Sequence, residues 1–248
     1  MLNKNKILGV DITNDSVENI LEYILQKIGQ KTKFYIVTPN PEILVYAASH
    51  ENFRKILNLA EISLPDGVGL FLASLFLLKP FKERIPGVDF MEEVCKRSVR
   101  MPISIGLLGA GAGVAEKTAE CLQAKYPFLD IVFVSEEWDG LANGKWPMAN
   151  GKKELSAISN KPIAHIDLLF VAFGHPKQEE WIYKNLDHIP VTPAMGDGGA
   201  FDYISGTVKR APFTVRAIGF EWLEGLIREP GRVKRQPARV QFGKLVAG

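Results

Sequence analysis

The chain has 248 residues, of which 46% are hydrophobic and 23% are charged, and this composition is typical of a water-soluble protein. Its length is enough to bury the core of one domain, or of one domain plus an appendage. No segment reaches the apolar length of a membrane-spanning helix, and the two cysteines match no metal-binding spacing. Because Asn3, Lys4 and Lys6 lead directly into a strand-like segment, no secretory signal is predicted, and we expect a cytosolic protein with reduced thiols.

The net charge of +2 conceals an asymmetry along the chain. From Thr207 onward there are nine Lys and Arg residues against three Asp and Glu residues, whereas the rest of the chain has 21 basic and 25 acidic residues. A basic end on a mildly acidic body predicts an anionic partner, whether a phosphate, a membrane surface or a nucleic acid.

Short apolar runs alternate with helical patterns along the chain. Strands are predicted at 6–10, 34–37, 62–64, 103–108, 131–134, 167–173 and 190–195. Helices are predicted between them, at about 16–30, 41–60, 69–78, 89–100 and 113–126, with a short helix after 176 and capping boxes at 15–18 and 89–92. The segment 138–153 is predicted to be an irregular loop. This alternation predicts an α/β fold with a doubly wound, mostly parallel sheet.

From Ala211 the pattern becomes purely helical and is interrupted at 229–231. Apolar residues recur there at helical spacing with basic residues between them: Phe213, Ala217, Phe220, Leu223 and Ile227. This segment is either an ordinary pair of capping helices, the commoner case, or an amphipathic appendage that faces a membrane. We place a main domain at 1–206 and a helical, basic appendage at 207–248.

Polar residues follow three of the predicted strands, where a bare turn would suffice. Asp66 ends the strand at 62–64, and the other two ends carry Thr38 with Asn40 and Lys177 with Gln178. Each of these residues alone is more often a helix cap than a ligand-binding group. Their shared position at strand ends favours one crevice, because open α/β sheets bind ligands at the carboxyl ends of their strands.

The loop that contains Gly109, Gly111 and Gly113 resembles a phosphate cradle, since small residues let backbone N–H groups approach an anion. It is a poor dinucleotide fingerprint, because it does not follow the first strand and Glu136 and Glu137 only approximate the expected acidic position. No metal-binding spacing and no Asp-x-Asp are present, so we predict neither a metal site nor a metal-held nucleotide diphosphate. None of the four histidines is assigned a role.

Six motifs occur in order along nearly the whole chain. They are Thr38-Pro39-Asn40-Pro41, Pro65-Asp66-Gly67, Glu83-Arg84-Ile85-Pro86-Gly87, Pro176-Lys177-Gln178-Glu179, Gly198-Gly199-Ala200-Phe201-Asp202 and Arg210-Ala211-Pro212. Together they resemble the WecG/TagA/CpsF family of bacterial glycosyltransferases (glycosyltransferase family 26).

The resemblance implies a Rossmann-like catalytic domain and an inverting, metal-independent transfer of a sugar, with no cofactor. The implied donor is a UDP-sugar, such as UDP-N-acetylmannosamine, and the implied acceptor is undecaprenyl-diphosphate-linked N-acetylglucosamine. Such a product enters wall teichoic acid or another surface polysaccharide. The implied location is the cytoplasm, with the appendage docked on the anionic inner face of the cell membrane. Self-association into a homo-oligomer is left open.

The resemblance also implies roles for individual residues. Asp66 matches the family's proposed base, Thr38, Asn40, Arg84 and Gln178 match pocket positions, and Arg232 and Arg235 match arginines that act on the leaving UDP. From the motif loops we expect further contacts with the nucleotide-sugar from Gly109, Gly111, Gly113, Lys177, Gly198, Gly199 and Asp202.

Two departures from the family pattern keep alternatives open. Glu224-Gly225 stands where the family usually has an aromatic–Arg pair, and Asp197 stands where it tends to have a small apolar residue. The first alternative is a nucleotide-sugar-binding protein of the same fold with little or no turnover. A nucleic-acid-binding domain ranks last, because few aromatic residues accompany the basic residues of the appendage.

Overall fold

The computed structural model describes residues 2–137, 165–212 and 236–247. The strands are β1 Lys4–Ile7, β2 Val10–Thr13, β3 Phe34–Val37, β4 Ile62–Ser63, β5 Ile105–Gly109, β6 Ile131–Ser135, β7 Leu168–Ala172 and β8 Pro193–Gly196. The helices are α1 Val17–Gly29, α2 Pro41–Ser49, α3 Glu51–Leu59, α4 Val68–Phe76, α5 Gly87–Ser98, α6 Val114–Lys125, α7 Lys177–Asn185, α8 Ala200–Ile204 and α9 Gln236–Ala247, with a 3-10 turn at Leu186–His188.

The main sheet has six strands in the order β4-β3-β8-β7-β5-β6, and every neighbouring pair is parallel. Side chains alternate between two hydrophobic cores, one on each face of the sheet. In β3, Phe34 and Ile36 enter one core, whereas Tyr35 and Val37 enter the other. Helices cover both faces, so the predicted α/β, doubly wound, Rossmann-like architecture is confirmed.

The prediction of a single strand at 6–10 is wrong. β1 and β2 form a separate antiparallel hairpin joined by Leu8 and Gly9, whose φ angles are 49° and 80°. Two successive residues with positive φ are typical of the two-residue turn that connects hairpin strands. In the sequence only Gly9 indicates such a turn, because leucine is uncommon at a position with positive φ.

The predicted helix at 41–60 is in fact two helices that meet at His50. This residue has φ −126° and ψ 89°, outside the helical region, and its ring stacks on Tyr46 with centroids 3.8 Å apart. The continuous apolar pattern therefore concealed a change of direction, because both α2 and α3 bury apolar faces in the same core.

Both predicted capping boxes are also wrong in detail. Ser16 rather than Asp15 caps α1, by accepting a hydrogen bond from the Asn19 N–H. The carboxylate of Asp15 instead accepts a bond from Lys82 Nζ at 2.8 Å. The helix α5 begins two residues earlier than predicted, so Asp89 lies within its first turn and does not cap it. The Asp89 carboxylate pairs with Arg210.

Of the described residues of the appendage, 236–247 form a helix, whereas 207–212 do not. Its last helix, α9, packs mainly on α2, buries Phe242 in the core and places Arg239 Nη2 3.3 Å from Glu42 Oε1. The predicted loop at 138–153 and the apolar series from Phe213 to Ile227 lie outside the described residues, and the domain boundary at 206/207 stays a prediction. No helix in the described ranges is long and apolar enough to cross a bilayer.

Candidate active site

The polar loops singled out in the sequence follow four strands that are neighbours in the sheet. Asp66 comes after β4, Thr38 and Asn40 after β3, Asp197 after β8 and Gln178 after β7, in the spatial order β4-β3-β8-β7. The glycine loop follows β5, the next strand along. The six strands of this sheet are all parallel, so the loops lie together at its carboxyl edge, where open α/β folds bind their ligands.

Asp66 lies in a tight turn between β4 and α4. Its N–H donates to the Pro39 carbonyl at 3.2 Å, which ties the turn to the loop after β3. The cap position of α4 belongs to Gly67, at φ 84°, and has no side-chain hydrogen bond. Asp66 therefore lies one residue before the cap position of α4, and not at it as its place in the sequence first suggested.

Thr38 and Asn40 are fixed by the loop after β3. The buried Thr38 hydroxyl donates to the Gly196 carbonyl at 3.0 Å, which joins the ends of β3 and β8. Asn40 Oδ1 accepts bonds from the first N–H groups of α2, at 3.0 and 3.1 Å, so its predicted capping role is confirmed. With its oxygen engaged, Asn40 can offer a ligand only the N–H groups of its side-chain amide.

The Arg84 loop closes over the same edge. The Ile85 N–H donates to the Pro65 carbonyl at 3.0 Å, beside Asp66. At Gly87, an added Cβ would lie 2.0 Å from Asp197 Oδ2 and 3.1 Å from Thr38 Cγ2. Only glycine allows this close approach, so the loop that carries the half-buried Arg84 is held against the ends of β3, β4 and β8.

Gln178 and Glu179 form a buried pair in the first turn of α7, after a cis His175–Pro176 bond. Gln178 Nε2 donates to Glu179 Oε1 at 2.8 Å, which fixes the orientation of the side-chain amide. The oxygen of the same amide, Gln178 Oε1, is buried without a hydrogen-bond partner among the described residues. It is an acceptor available to a ligand that donates a hydrogen bond.

Glu179 also faces His175, with 3.9 Å between Oε2 and Nδ1, and both atoms are buried without a hydrogen bond in the described structure. Burial raises the pKa of Glu179 to about 7 and lowers the pKa of His175 to about 4. At neutral pH the histidine is therefore neutral, and the two groups do not form a full ion pair.

Asp197 lies between the Arg84 loop and the Gln178 turn. Burial raises its pKa to about 7, although the nearby N–H groups of Gly199 and Ala200 oppose this shift, and Asp197 Oδ2 has no hydrogen-bond partner among the described residues. At Gly198 an added Cβ would lie 2.8 Å from Gly174 Cα and 3.0 Å from Gln178 Oε1. The loops after β7 and β8 can touch here because residue 198 has no side chain.

In the glycine loop, residue 109 must be glycine for structural reasons, because its φ is 105° and an added Cβ would lie 2.8 Å from the Ala172 carbonyl carbon. At Gly111, no atom of the described residues lies within 4 Å of an added Cβ. Gly113 precedes α6 at φ 74°, and its N–H donates to the Glu136 carboxylate. The predicted phosphate cradle thus already holds a carboxylate of the chain itself, which a phosphate would have to displace.

The remaining predicted residues lie near this edge or outside the described ranges. Lys177 is exposed at the start of α7, Gly199 directly precedes α8, and Asp202 lies in the first turn of α8. Arg232 and Arg235 lie outside the residues that the structure describes. Within those residues, no group of His, Cys, Asp and Glu side chains could hold a metal ion.

Sequence reasoning missed His175 and Glu179 as members of the site. His175 had been assigned no role and Glu179 only membership of a motif, yet both lie beside Gln178. The available signal was their position directly after a buried strand. Their burial and perturbed pKa values depend on tertiary packing and could not be obtained from the sequence pattern.

A parallel α/β sheet with buried hydroxyl, amide and carboxyl groups gathered at its carboxyl edge defines a ligand-binding domain of the Rossmann-like class. Sequence comparison identifies the class more narrowly. Residues 5–247 match the glycosyl transferase WecG/TagA/CpsF family, and the chain belongs to that family. It is a glycosyltransferase, as the resemblance predicted.

The chain is similar to two curated relatives named N-acetylglucosaminyldiphosphoundecaprenol N-acetyl-beta-D-mannosaminyltransferase. The protein from Staphylococcus aureus strain MW2 is 31% identical over 234 residues, which cover 94% of this chain and 87% of the relative. The protein from strain NCTC 8325 is 32% identical over 239 residues, which cover 94% and 89%, respectively.

Proposed function

We propose that the chain transfers N-acetylmannosamine, or a related sugar, from UDP to undecaprenyl-diphosphate-linked N-acetylglucosamine, in the synthesis of teichoic acid or another surface polysaccharide. The match over residues 5–247 and the names of the relatives support this substrate class. The observation that carries the proposal is the position of Asp66, a carboxylate at the carboxyl end of β4 whose turn is joined to the neighbouring loops by the bonds from Asp66 to Pro39 and from Ile85 to Pro65.

In the proposed reaction, a hydroxyl oxygen of the acceptor sugar attacks the anomeric carbon of the donor, and the bond from that carbon to UDP breaks. Asp66 takes the hydroxyl proton as the new bond forms. A single displacement of this kind inverts the configuration of the anomeric carbon. UDP leaves with its diphosphate charge, which needs positive groups nearby.

Arginines are the groups that we propose for this charge, in place of a metal ion. The loop that carries Arg84 is held against the turn that carries Asp66 by the bond from Ile85 to Pro65, and Arg232 and Arg235 would act from the appendage. A guanidinium binds phosphate oxygens through two parallel N–H bonds, which suits a departing diphosphate.

The donor sugar would lie along the row formed by Thr38, Asn40 and Gln178. Asn40 offers N–H donors and Gln178 Oε1 offers an acceptor, which together match the hydroxyl and acetamido groups of an N-acetylhexosamine. The acceptor lipid requires the enzyme to work at a membrane surface, so we propose a peripheral location on its inner face.

The test is Asp66→Asn, which preserves shape while removing the basic carboxylate. UDP release from UDP-N-acetylmannosamine with the lipid-linked acceptor is expected to fall by roughly a hundredfold or more, because general-base catalysis contributes this much. The matched control is Asp187→Asn, at an exposed residue of the 3-10 turn, which is expected to retain full turnover.

Near-normal turnover in Asp66→Asn would contradict the assignment of the base. Donor binding by the wild type without any UDP release would favour the alternative of a nucleotide-sugar-binding protein. A panel of UDP-sugars with the same acceptor would then identify the donor.

A further inference from the structure

Four large apolar side chains are exposed on α4 and on the turn that follows it. Leu72, Leu75, Phe76 and Leu78 are 57%, 46%, 66% and 88% exposed, respectively. In the helix, Leu72, Leu75 and Phe76 have the i, i+3, i+4 spacing that places side chains on one side. We call these four residues the α4 surface. Contiguous exposed apolar residues are uncommon on a soluble protein and mark interaction sites.

The segment that carries the α4 surface is firmly anchored. Ser74 Oγ donates to the Phe71 carbonyl at 2.6 Å and accepts from the N–H of the buried Phe81 at 3.2 Å. Asn5 Nδ2, from the β1–β2 hairpin, donates to the Lys79 carbonyl at 2.9 Å. The exposed side chains therefore project from a well-bonded support and do not belong to a frayed helix end.

Leu78 adds a local anomaly. Its φ is 55°, the left-handed region in which glycine or asparagine is ordinary at the end of a helix. A leucine there introduces backbone strain, and because its side chain is 88% exposed, it gains little packing against the described residues in return. Both features are explained if the side chain packs against something outside this chain.

The α4 surface is connected to the candidate active site at both ends of its segment. α4 begins at Val68, two residues after Asp66, and the chain returns to the site where Ile85 bonds the Pro65 carbonyl. With a rise of about 1.5 Å per residue, Leu72 and Phe76 lie roughly 6 and 12 Å along the helix from its start. The apolar residues are therefore close to the proposed base.

Basic residues accompany these apolar side chains. Lys79 directly follows Leu78 and is exposed, as is Lys82, which is paired with Asp15. The helix α9 touches α4, and Val240 and Lys244 of α9 are exposed. Apolar side chains flanked by lysines match the interface of a bilayer that contains anionic headgroups.

We propose that the α4 surface docks on an anionic lipid bilayer and so brings the lipid-linked acceptor to Asp66. The delivery of the acceptor rests on the proposed function, whereas the docking itself does not. A second copy of the chain is the alternative occupant of this surface, and the experiment below distinguishes it from a bilayer.

The docking is tested with full-length Leu72→Gln/Leu75→Gln/Phe76→Gln and vesicles of phosphatidylglycerol and phosphatidylcholine. Sedimentation with the vesicles is expected to weaken roughly tenfold or more, because three apolar groups no longer enter the interface. The matched control is Met101→Gln/Phe128→Gln, at residues that are also exposed, by 50% and 83%, and that precede β5 and β6 at the opposite edge of the sheet. The control is expected to bind vesicles like the wild type.

A comparison of two acceptors separates this proposal from the proposed function. The triple variant is expected to match the wild type with a short-chain, water-soluble acceptor and to be slower with the long-chain acceptor in vesicles. If the wild type uses neither acceptor, the proposed function fails, while the sedimentation result still decides the docking.

Two outcomes would overturn the docking proposal. One is a triple variant that sediments with vesicles as fully as the wild type. The other is a wild-type dimer in solution that the triple substitution dissociates while vesicle binding is unchanged, which would make the α4 surface an interface between two copies of the chain.

Discussion

At the scale of single residues, the site contains two carboxyl groups that hold protons unusually well. Burial raises the pKa values of Glu179 and Asp197 to about 7, far above those of solvated carboxyl groups. Between about pH 4.5 and 7 the folded chain therefore binds more protons at these groups than the unfolded chain does. Their contribution to stability is greatest at low pH and declines as the pH rises through this window.

Glu179→Gln is expected to flatten this dependence. Glutamine can still accept the bond from Gln178 Nε2 but does not ionise, so the variant avoids a buried charge at neutral pH. The slope of the free energy of unfolding between about pH 5 and 7 is expected to change by up to about 1.4 kcal/mol per pH unit, as measured by urea unfolding.

The control is Glu120→Gln, at an exposed residue of α6 away from Glu179, which is expected to keep the wild-type slope. His175, whose pKa burial lowers to about 4, acts in the opposite sense, because its contribution falls as the pH drops below about 6.5. All three chains contain His175, so their comparison isolates Glu179. An unchanged slope in Glu179→Gln would mean that Glu179 is ionised in the folded chain.

The sequence identified the residues of the site better than it identified their environments. Asp66, Thr38, Asn40 and Gln178 were recognisable because each follows a strand, and the structure places them at one edge. The residue type alone did not tell which residue takes the cap position of a helix. Asn40 takes it in α2, whereas in α4 Gly67 takes it and Asp66 does not. Burial of the Glu179 carboxyl depends on packing between α7 and its neighbours, which no local pattern contains.

At the scale of elements, the site depends on how closely its loops approach one another. The Arg84 loop rests on Asp197 and Thr38 only because Gly87 has no side chain, and the loop of Gly198 touches Gly174 for the same reason. These approaches connect elements that are far apart in the sequence. They explain why strands and helices could be predicted individually, whereas the order β4-β3-β8-β7-β5-β6 could not.

Gly87→Ala is expected to destabilise the fold by about 1–3 kcal/mol, since its Cβ would overlap the Asp197 carboxylate and crowd Thr38. In an Asp197→Ala background much of this loss is expected to disappear, because the overlapping oxygen is gone. Chemical unfolding of the four chains in this cycle provides the measurement. Gly29→Ala is the control, because no atom lies within 4 Å of its added Cβ. Additive losses in the cycle would show that the two residues do not compete for space.

At the scale of the whole molecule, the described ends of the appendage are attached to different parts of the main domain. Arg210 pairs with Asp89 in α5, with one N–O distance of 2.8 Å, whereas α9 buries Phe242 against the core that includes α2. α9 also touches α4, which carries the α4 surface. The proposed docking surface on α4 therefore lies next to the last helix of the appendage.

We therefore expect the appendage to serve catalysis and the α4 surface to serve docking. Arg232→Ala and Arg235→Ala are each expected to lower kcat by roughly tenfold or more, because a charged donor to the leaving diphosphate is lost. Binding to anionic vesicles is expected to change far less, since one lysine or arginine contributes only about 1 kcal/mol of attraction. Steady-state kinetics and vesicle sedimentation measure the two effects separately. Truncation near Thr207 would be a poorer test, because it also removes the buried Phe242.

Lys209→Gln, at an exposed residue of the same basic segment, is the control for a general loss of positive charge and is expected to retain the wild-type kcat. The opposite partition, in which the two arginine variants lose vesicle binding while kcat at saturating acceptor is unchanged, would contradict the catalytic role. The two arginines would then bind the membrane. Groups at the carboxyl edge of the sheet would have to stabilise the charge of the departing UDP, and Arg84 would be the first of them to substitute.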